Sequence, residues 1–104
     1  MKVNFDVIVT DYKGEPFMVT EGRERKPMNL SEKIQELMFF AGMDDPSMPA
    51  ELKYRAYKVG RKLAGRKDNF TPEELSLIKD QANKRLVAGI AGQVVELIDG
   101  GSEQ

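Results

Sequence analysis

The segment with the clearest chemical potential is residues 52–67, LKYRAYKVGRKLAGRK, which contains seven lysines and arginines and no acidic residue. Tyr54 and Tyr57 are interleaved with these cations. Cationic side chains neutralise phosphates or carboxylates, and exposed aromatic rings stack on bases or anchor protein interfaces. The segment is therefore the one part of the sequence that suggests a binding partner.

The charge of this segment differs from that of the rest of the chain. The 104 residues include 16 basic and 17 acidic residues, which gives a formal net charge of −1. Without the seven cations of residues 52–67, 9 basic residues remain against 17 acidic ones, so the remainder carries −8. Because long-range steering follows the field of the whole protein, this balance counts against nonspecific DNA binding.

A helix over about residues 49–64 would place both tyrosines on its outer face. Its apolar stripe is Leu52, Ala56, Val59 and Leu63. At about 100° per residue, Tyr54 and Tyr57 project away from that stripe and lie among the cations. The candidate partner-binding residues are therefore Lys53, Tyr54, Tyr57, Lys58, Arg61 and Lys62.

Three interpretations of this helix face are open. In the first, which is the usual fate of such a face, the tyrosines pack under an N-terminal hairpin and the cations form a solvated rim. In the second, the face binds another protein, with the tyrosines as anchors. In the third it binds nucleic acid, and its binding then weakens steeply with salt.

A second feature is AGIAG, residues 88–92, in a segment with helical periodicity. Glycine costs a helix roughly 1 kcal/mol relative to alanine, so two glycines indicate a close approach of another backbone. We expect this segment to pack tightly against another helix of the same chain. A homodimer contact through Ala88, Gly89 and Gly92 is the alternative.

Catalytic and metal chemistry find little support in the composition. The chain has no histidine and no cysteine, which removes the commonest general base, the nucleophile pairs that use histidine, thiolate metal sites and disulfides. The acidic pairs Asp44–Asp45 and Glu73–Glu74 form no cage by themselves, and the glycine spacing matches no phosphate-binding loop. We expect no enzymatic activity, no metal and no cofactor.

The N-terminal part of the sequence predicts a β-hairpin. Apolar residues alternate over residues 3–9, which is typical of a half-buried strand. The turn DYKGEP, with Gly14, leads to a return strand FMVT over residues 17–20. The charged segment EGRERKP, residues 21–27, is interpreted as a loop.

The remaining sequence predicts helices with identifiable ends. Asn29 caps the first helix, with Glu32 three residues later, and Gly42 ends it. Ser47 is the predicted cap of the second helix, and Gly65 ends it. The third helix is predicted to begin at Thr71, with Pro72 and Glu74 in its first turn, and to break near Asn83–Lys84. A fourth helix over about Arg85–Ile98 is then predicted to stop at Gly100 and Gly101.

These elements predict a single α+β domain over residues 1–99, an N-terminal β-hairpin packed on a bundle of three to four α-helices. Residues 1–27 form the hairpin and loop, residues 28–99 the helical part, and residues 100–104 a flexible tail. The expected core is Val3, Phe5, Val7, Val9, Leu52, Val59, Leu63, Leu75, Ile78, Val94 and Leu97. With no apolar run long enough to span a bilayer and no secretory signal, we expect a soluble cytoplasmic protein.

Four segments share their order with a known group of proteins: Asp11–Gly14, Lys53–Leu63, Phe70–Lys79 and Gly92–Ile98. In this order of turn, basic helix, capped helix and closing helix, the chain resembles small accessory proteins of tailed bacteriophages and prophages. That group has no assigned reaction. The resemblance implies a phage accessory protein in the host cytoplasm that binds a host or phage protein, with a nucleic-acid-binding regulator or a virion assembly chaperone as alternatives.

Overall fold

Four helices make up most of the protein in the computed structural model, which describes residues 1–100. They are α1 (Leu30–Phe39), α2 (Ala50–Ala64), α3 (Pro72–Arg85) and α4 (Ala88–Gly100). Helix α1 packs on α2 and α3, and α3 also contacts α2 and α4. A two-stranded antiparallel hairpin precedes them, so the predicted fold class, α+β with an N-terminal hairpin and a helical bundle, is confirmed.

Only one strand of the hairpin matches the prediction, the return strand expected over residues 17–20. Strand β1 (Met18–Glu21) pairs with β2 (Glu24–Pro27), so the interpretation of residues 21–27 as a loop was wrong. Gly22, at a φ of +64°, provides the turn between them. Because both strands are largely exposed, polar side chains are tolerated along them, and no apolar alternation marks β2 in the sequence.

The first ten residues are extended without forming a continuous ladder. Two backbone hydrogen bonds of 2.8 Å tie this segment to the residues that flank the hairpin: Phe17 N–H donates to the carbonyl of Val9, and Val9 N–H donates to that of Met28. The flanking residues are joined to each other by the bond from Met28 N–H to the carbonyl of Phe17, also 2.8 Å. Isolated bridges pair Ile8 with Asn29 and Thr10 with Pro16. The turn after Thr10 is therefore present as predicted, but the predicted long strand is replaced by single pairings.

Gln93 of α4 completes the pairing of this extended segment. Its side-chain oxygen accepts from the N–H of Thr10 at 3.0 Å, and its Nε2 donates to the carbonyl of Thr10 at 2.7 Å. One amide side chain thus satisfies both backbone groups that a neighbouring strand would satisfy. Further along, Val3 N–H donates to the carbonyl of Asp68 at 2.9 Å, which fixes the segment against the loop between α2 and α3.

The core lies between the helices and the extended N-terminal segment. Of the predicted core residues, Val3, Phe5, Val9, Val59, Leu63, Leu75, Ile78 and Val94 are buried, and Val7, Leu52 and Leu97 are half-buried at its edge. The prediction missed Phe70, which is only 2 % exposed and meets the ring of Phe5 edge to face at 5.5 Å. This aromatic pair joins the N-terminal segment to the start of α3.

The predicted start of α3 is confirmed in detail. The hydroxyl of Thr71 accepts from the N–H of Glu74 at 3.1 Å, and a carboxylate oxygen of Glu74 accepts from the N–H of Thr71 at 2.8 Å. Pro72 occupies the first turn, where no N–H is required. Asn29 caps α1 as predicted, by accepting from the N–H of Glu32 at 3.1 Å.

The predicted cap of α2 was wrong. Helix α2 begins after Pro49 without a side-chain cap. Ser47 instead donates its hydroxyl hydrogen to Asp45 at 2.6 Å, and this bond holds the pKa of the Asp45 carboxyl below its ordinary value. Ser47 therefore stabilises the loop before α2 and not the helix itself.

Helix α2 ends at Ala64 with Gly65 as its C-cap, as predicted, but the left-handed residue is the one after that glycine. Gly65 keeps a near-helical φ of −82°, and Arg66 takes the left-handed conformation at +60°. The N–H of Lys67 donates to the carbonyl of Lys62 at 3.1 Å and that of Arg66 to Leu63 at 3.0 Å, the two bonds of a Schellman motif. The left-handed position usually held by glycine is thus occupied by arginine.

The boundary between α3 and α4 is also displaced. Leu86 is extended and separates the helices, so the break follows Arg85 instead of falling at Asn83–Lys84. Helix α4 continues to Gly100, two residues beyond the predicted end. The rest of the predicted tail, residues 101–104, lies outside the described residues.

Candidate functional site

The outer face of α2 carries the predicted tyrosines in exposed positions. The helix buries Ala56, Val59 and Leu63, and on the other side Tyr54 is 62 % exposed and Tyr57 is 51 % exposed. The interpretation in which both rings pack under the hairpin is therefore wrong. The core is complete without them.

The two tyrosines and two cations form one ordered cluster. The rings of Tyr54 and Tyr57 are stacked, with centroids 6.2 Å apart and an interplanar angle of 22°. The ammonium of Lys58 lies 5.4 Å from the centre of the Tyr54 ring, and the guanidinium carbon of Arg61 lies 5.8 Å from that of Tyr57. We call Tyr54, Tyr57, Lys58 and Arg61 the cation–tyrosine cluster.

The spacing of the cluster follows from helix geometry. Residues four apart lie on the same side of a helix, which places Lys58 above Tyr54 and Arg61 above Tyr57. Arg61 also donates to the hydroxyl of Tyr57 at 3.0 Å. Each exposed cation–π contact contributes roughly 0.5–1 kcal/mol, enough to favour one arrangement of the four side chains before any partner binds.

Lys62 belongs to the fold and not to this cluster. Its ammonium donates to the Glu74 carboxylate at 2.8 Å and to the carbonyl of Asn69 at 3.0 Å. It also lies 5.4 Å from the centre of the Phe70 ring. The structure therefore separates Lys62 from the candidate residues with which it was predicted to act.

Lys53 lies at the edge of the face, beside the loop that follows α1. A Cβ atom on Gly42 would lie 2.9 Å from Cε of Lys53, so the aliphatic part of this lysine packs directly on the glycine. Gly42 has a φ of +92°, which also favours glycine there. Lys53 remains exposed and extends the positive surface toward α1.

Most cations of residues 52–67 have no acidic partner. Arg55 pairs with Glu51 at 3.7 Å and Lys62 with Glu74 at 2.8 Å. Among residues 1–100, no acidic side chain lies within 4 Å of the charged groups of the other five, which are Lys53, Lys58, Arg61, Arg66 and Lys67. The positive charge of this surface is therefore available to a ligand.

The small-residue segment of α4 faces away from the bundle. Ala88, Gly89 and Gly92 are exposed, and no atom of residues 1–100 lies within 4 Å of the position a Cβ would take at either glycine. The expectation of tight packing against another helix of the chain was wrong, because α4 packs through Ile90 and Val94 on its other side. The homodimer contact stays a prediction.

A polar cleft of about 380 Å³ lies between the N-terminal segment, the start of α1 and the end of α2. Its charged lining residues are Asp6, Glu32, Arg66, Lys67 and Asp68. The opposite charges are mixed, so the cleft offers no field of a single sign. Within residues 1–100, no three acidic side chains come together as metal ligands.

Comparison with known proteins does not identify the chain. No protein family, curated protein or solved structure matches it. Along residues 1–100, no helix has both the length and the apolar character required to cross a membrane.

Proposed function

We propose that the protein is a non-enzymatic binding protein whose outer α2 face recognises another protein. The observation that carries the proposal is the cation–tyrosine cluster, four ordered and exposed side chains that the core does not require. Tyrosine and arginine are enriched among the residues that dominate binding energy at protein interfaces. The sequence, with no histidine or cysteine, favours binding over catalysis.

The geometry of the rings favours a protein partner over nucleic acid. Tyr54 and Tyr57 stack on each other, and each ring has a cation near it. A base that stacked on either ring would compete with these contacts. A protein partner can instead contact the ring edges and hydroxyls and place carboxylates near Lys58 and Arg61.

The resemblance to phage accessory proteins supports a partner in the cytoplasm of a bacterial host. Under that proposal the partner is a host enzyme that the protein modulates or a phage assembly factor. An assembly chaperone for virion parts would use the same α2 face to bind a phage protein. The identity of the retained protein distinguishes these roles.

A nucleic-acid-binding regulator is the second candidate function. Lys58 and Arg61, which have no acidic side chain within 4 Å among residues 1–100 and lie beside two exposed aromatic rings, support it, because phosphate binding releases counterions and bases stack on such rings. The discriminating property is the salt dependence of binding. Retention of DNA or RNA that falls steeply between low and moderate salt favours this candidate.

The proposal is tested by affinity purification of the tagged full-length chain from an expressing bacterium, followed by mass spectrometry. We expect the wild type to retain one specific protein that Lys58→Glu/Arg61→Glu and Tyr54→Ala/Tyr57→Ala both lose. The matched control is Arg23→Glu/Arg25→Glu, which makes the same change in net charge on the exposed hairpin. Equal retention by all variants, with unchanged melting curves, contradicts the proposed surface.

A further inference from the structure

The packing of α1 against α2 places a phenylalanine on the same seam between helices that Tyr57 borders. A Cβ on Gly60 would lie 3.4 Å from Cβ of Met38, and Lys53 packs on Gly42. Contacts nearer the C-terminus of α1 are made with residues nearer the N-terminus of α2, so the two helices are antiparallel. Phe39 follows Met38 on α1, and Tyr57 lies between Lys53 and Gly60 on α2. Phe39 and Tyr57 are therefore at a similar level along the axes of the two helices.

Both rings lie on the solvent side of that seam. Met38 is 2 % exposed and faces the core, and Phe39, one residue and about 100° further round the helix, is 79 % exposed. The Phe39 ring meets that of Phe40 edge to face at 5.0 Å. Met43, in the loop after α1, is 71 % exposed. A group of large exposed apolar side chains of this kind marks an interaction site.

The apolar and charged groups lie on opposite sides of the seam. Phe39 and Met43 belong to α1 and the loop after it, and the cations belong to α2, where Lys53 lies at the seam beside Gly42 and Arg61 and Lys58 lie further from it, among the tyrosines. On α1, the exposed Glu36 is already paired with Lys33 at 3.4 Å. A ligand that fits this surface has an apolar edge and an acidic edge.

We propose that the binding site spans the seam between α1 and α2 and takes an amphipathic polypeptide segment with acidic residues. This inference rests on the proposed function and names the chemistry of the partner. Apolar side chains of the segment pack against Phe39, Met43 and the tyrosine rings. Its carboxylates pair with Lys53, Lys58 and Arg61, none of which has an acidic side chain within 4 Å among residues 1–100, although Asp45 acts on Lys53 at longer range. An amphipathic helix with apolar residues three and four apart has this shape.

The probe is a fluorescein-labelled helical peptide of glutamate, alanine and leucine, with leucines at helical spacing along one face. Two matched peptides replace every glutamate by lysine or every leucine by serine, and a labelled oligo-dT strand represents nucleic acid. Binding to the full-length protein is measured by fluorescence anisotropy. We expect the acidic leucine peptide to bind at least about tenfold more tightly than the other three probes.

The residues on each side of the seam are tested separately. We expect Phe39→Ala, Met43→Ser and Arg61→Glu each to weaken binding of the acidic leucine peptide by about fivefold or more. Tyr12→Ala, at an aromatic residue 93 % exposed in the turn after Thr10, is the matched control and leaves binding unchanged. Each variant keeps the wild-type melting temperature because its side chain is exposed.

Two kinds of result overturn the inference. If Arg61→Glu weakens binding and both Phe39→Ala and Met43→Ser do not, the site is confined to α2, and the proposed function survives without its extension to α1. If the acidic leucine peptide binds no better than the serine peptide or the oligonucleotide, the partner chemistry is wrong. The affinity purification with α2 variants then decides the proposed function independently.

Discussion

The ammonium of Lys62 lies 2.8 Å from the carboxylate of Glu74, which also closes the capping box at the start of α3. The contact joins the last turn of α2 to the first turn of α3, with the two side chains 27 % and 14 % exposed. Burial alone would raise the pKa of Glu74, but hydrogen bonds from Lys62 and Thr71 and the charge of Lys62 outweigh it and lower that pKa. Cations of the same helix therefore serve different purposes.

This division predicts unequal effects of removing two neighbouring lysines. Lys62→Met leaves the Glu74 carboxylate half-buried without its partner, so the free energy of unfolding should fall by about 1.5–3 kcal/mol. Lys58→Met removes only an exposed cation–π contact and should change it by no more than about 1 kcal/mol. Urea unfolding of both variants at pH 7 measures the difference. Equal losses would show that the contact between α2 and α3 contributes little.

The lowered pKa of Glu74 predicts a dependence of stability on acid. Because the pKa is lower in the folded state than in the unfolded state, the ionised carboxylate stabilises the protein above the ordinary value of 4.5. That contribution is lost as the pH falls through the folded-state pKa. We therefore expect Glu74→Gln to be less stable than the wild type at pH 7, with a difference that shrinks toward pH 3. A difference independent of pH, in urea melts, contradicts this assignment.

The left-handed conformation of Arg66 predicts a stabilising substitution. A non-glycine residue at φ +60° costs the folded state roughly 1–2 kcal/mol of stability. Glycine removes this cost, but it also increases the conformational entropy of the unfolded chain, so only part of the stability is gained. Arg66→Gly should raise the free energy of unfolding by about 0.5–1 kcal/mol. Gly65→Ala is the control, since the nearest atom to its new Cβ is a carbonyl oxygen at 3.5 Å. It should be tolerated, and destabilisation by Arg66→Gly would rule out the Schellman geometry.

The open space around Gly92 predicts that larger side chains are accepted there. Gly92→Ala should stabilise α4 by about 1 kcal/mol, because the substitution raises helix propensity and meets no neighbouring atom. Gly92→Leu should also keep or raise the melting temperature of the monomer. Sedimentation of the same variant tests the predicted homodimer: loss of a dimer without loss of stability places Ala88, Gly89 and Gly92 in the contact. A large fall in melting temperature would show that α4 is packed on this side.

The parts of the fold that sequence reasoning predicted depend on residues close together in the chain. Spacings of three or four residues predict the capping box at Thr71 and the position of Tyr57 opposite the apolar stripe of α2. The pairing of Thr10 with Gln93 joins residues 83 apart, and no local pattern marks it. Strand β2 was missed because its exposed residues carry no alternation.

In the candidate site, too, sequence reasoning predicted the features that depend on residues close together in the chain and missed those that depend on tertiary packing. The exposure of the tyrosines follows from the position of the apolar stripe on α2, so it could be predicted from the sequence. The role of Lys62 depends on where α3 places Glu74, and that of Phe39 depends on how α1 packs against α2. Both are results of tertiary packing, which a helical wheel drawn for one helix does not contain.

The bonds between Gln93 and Thr10 also constrain when the protein can finish folding. Thr10 is synthesised 83 residues before Gln93, so the extended N-terminal segment leaves the ribosome long before α4 exists to pair with it. Until the segments that cover them have been synthesised, Val3, Phe5 and Val9, which are buried in the folded protein, remain exposed on an extended chain. Such a segment is a binding site for cellular chaperones and a starting point for aggregation. We therefore expect the yield of folded protein to depend on translation rate and chaperone supply as well as on final stability.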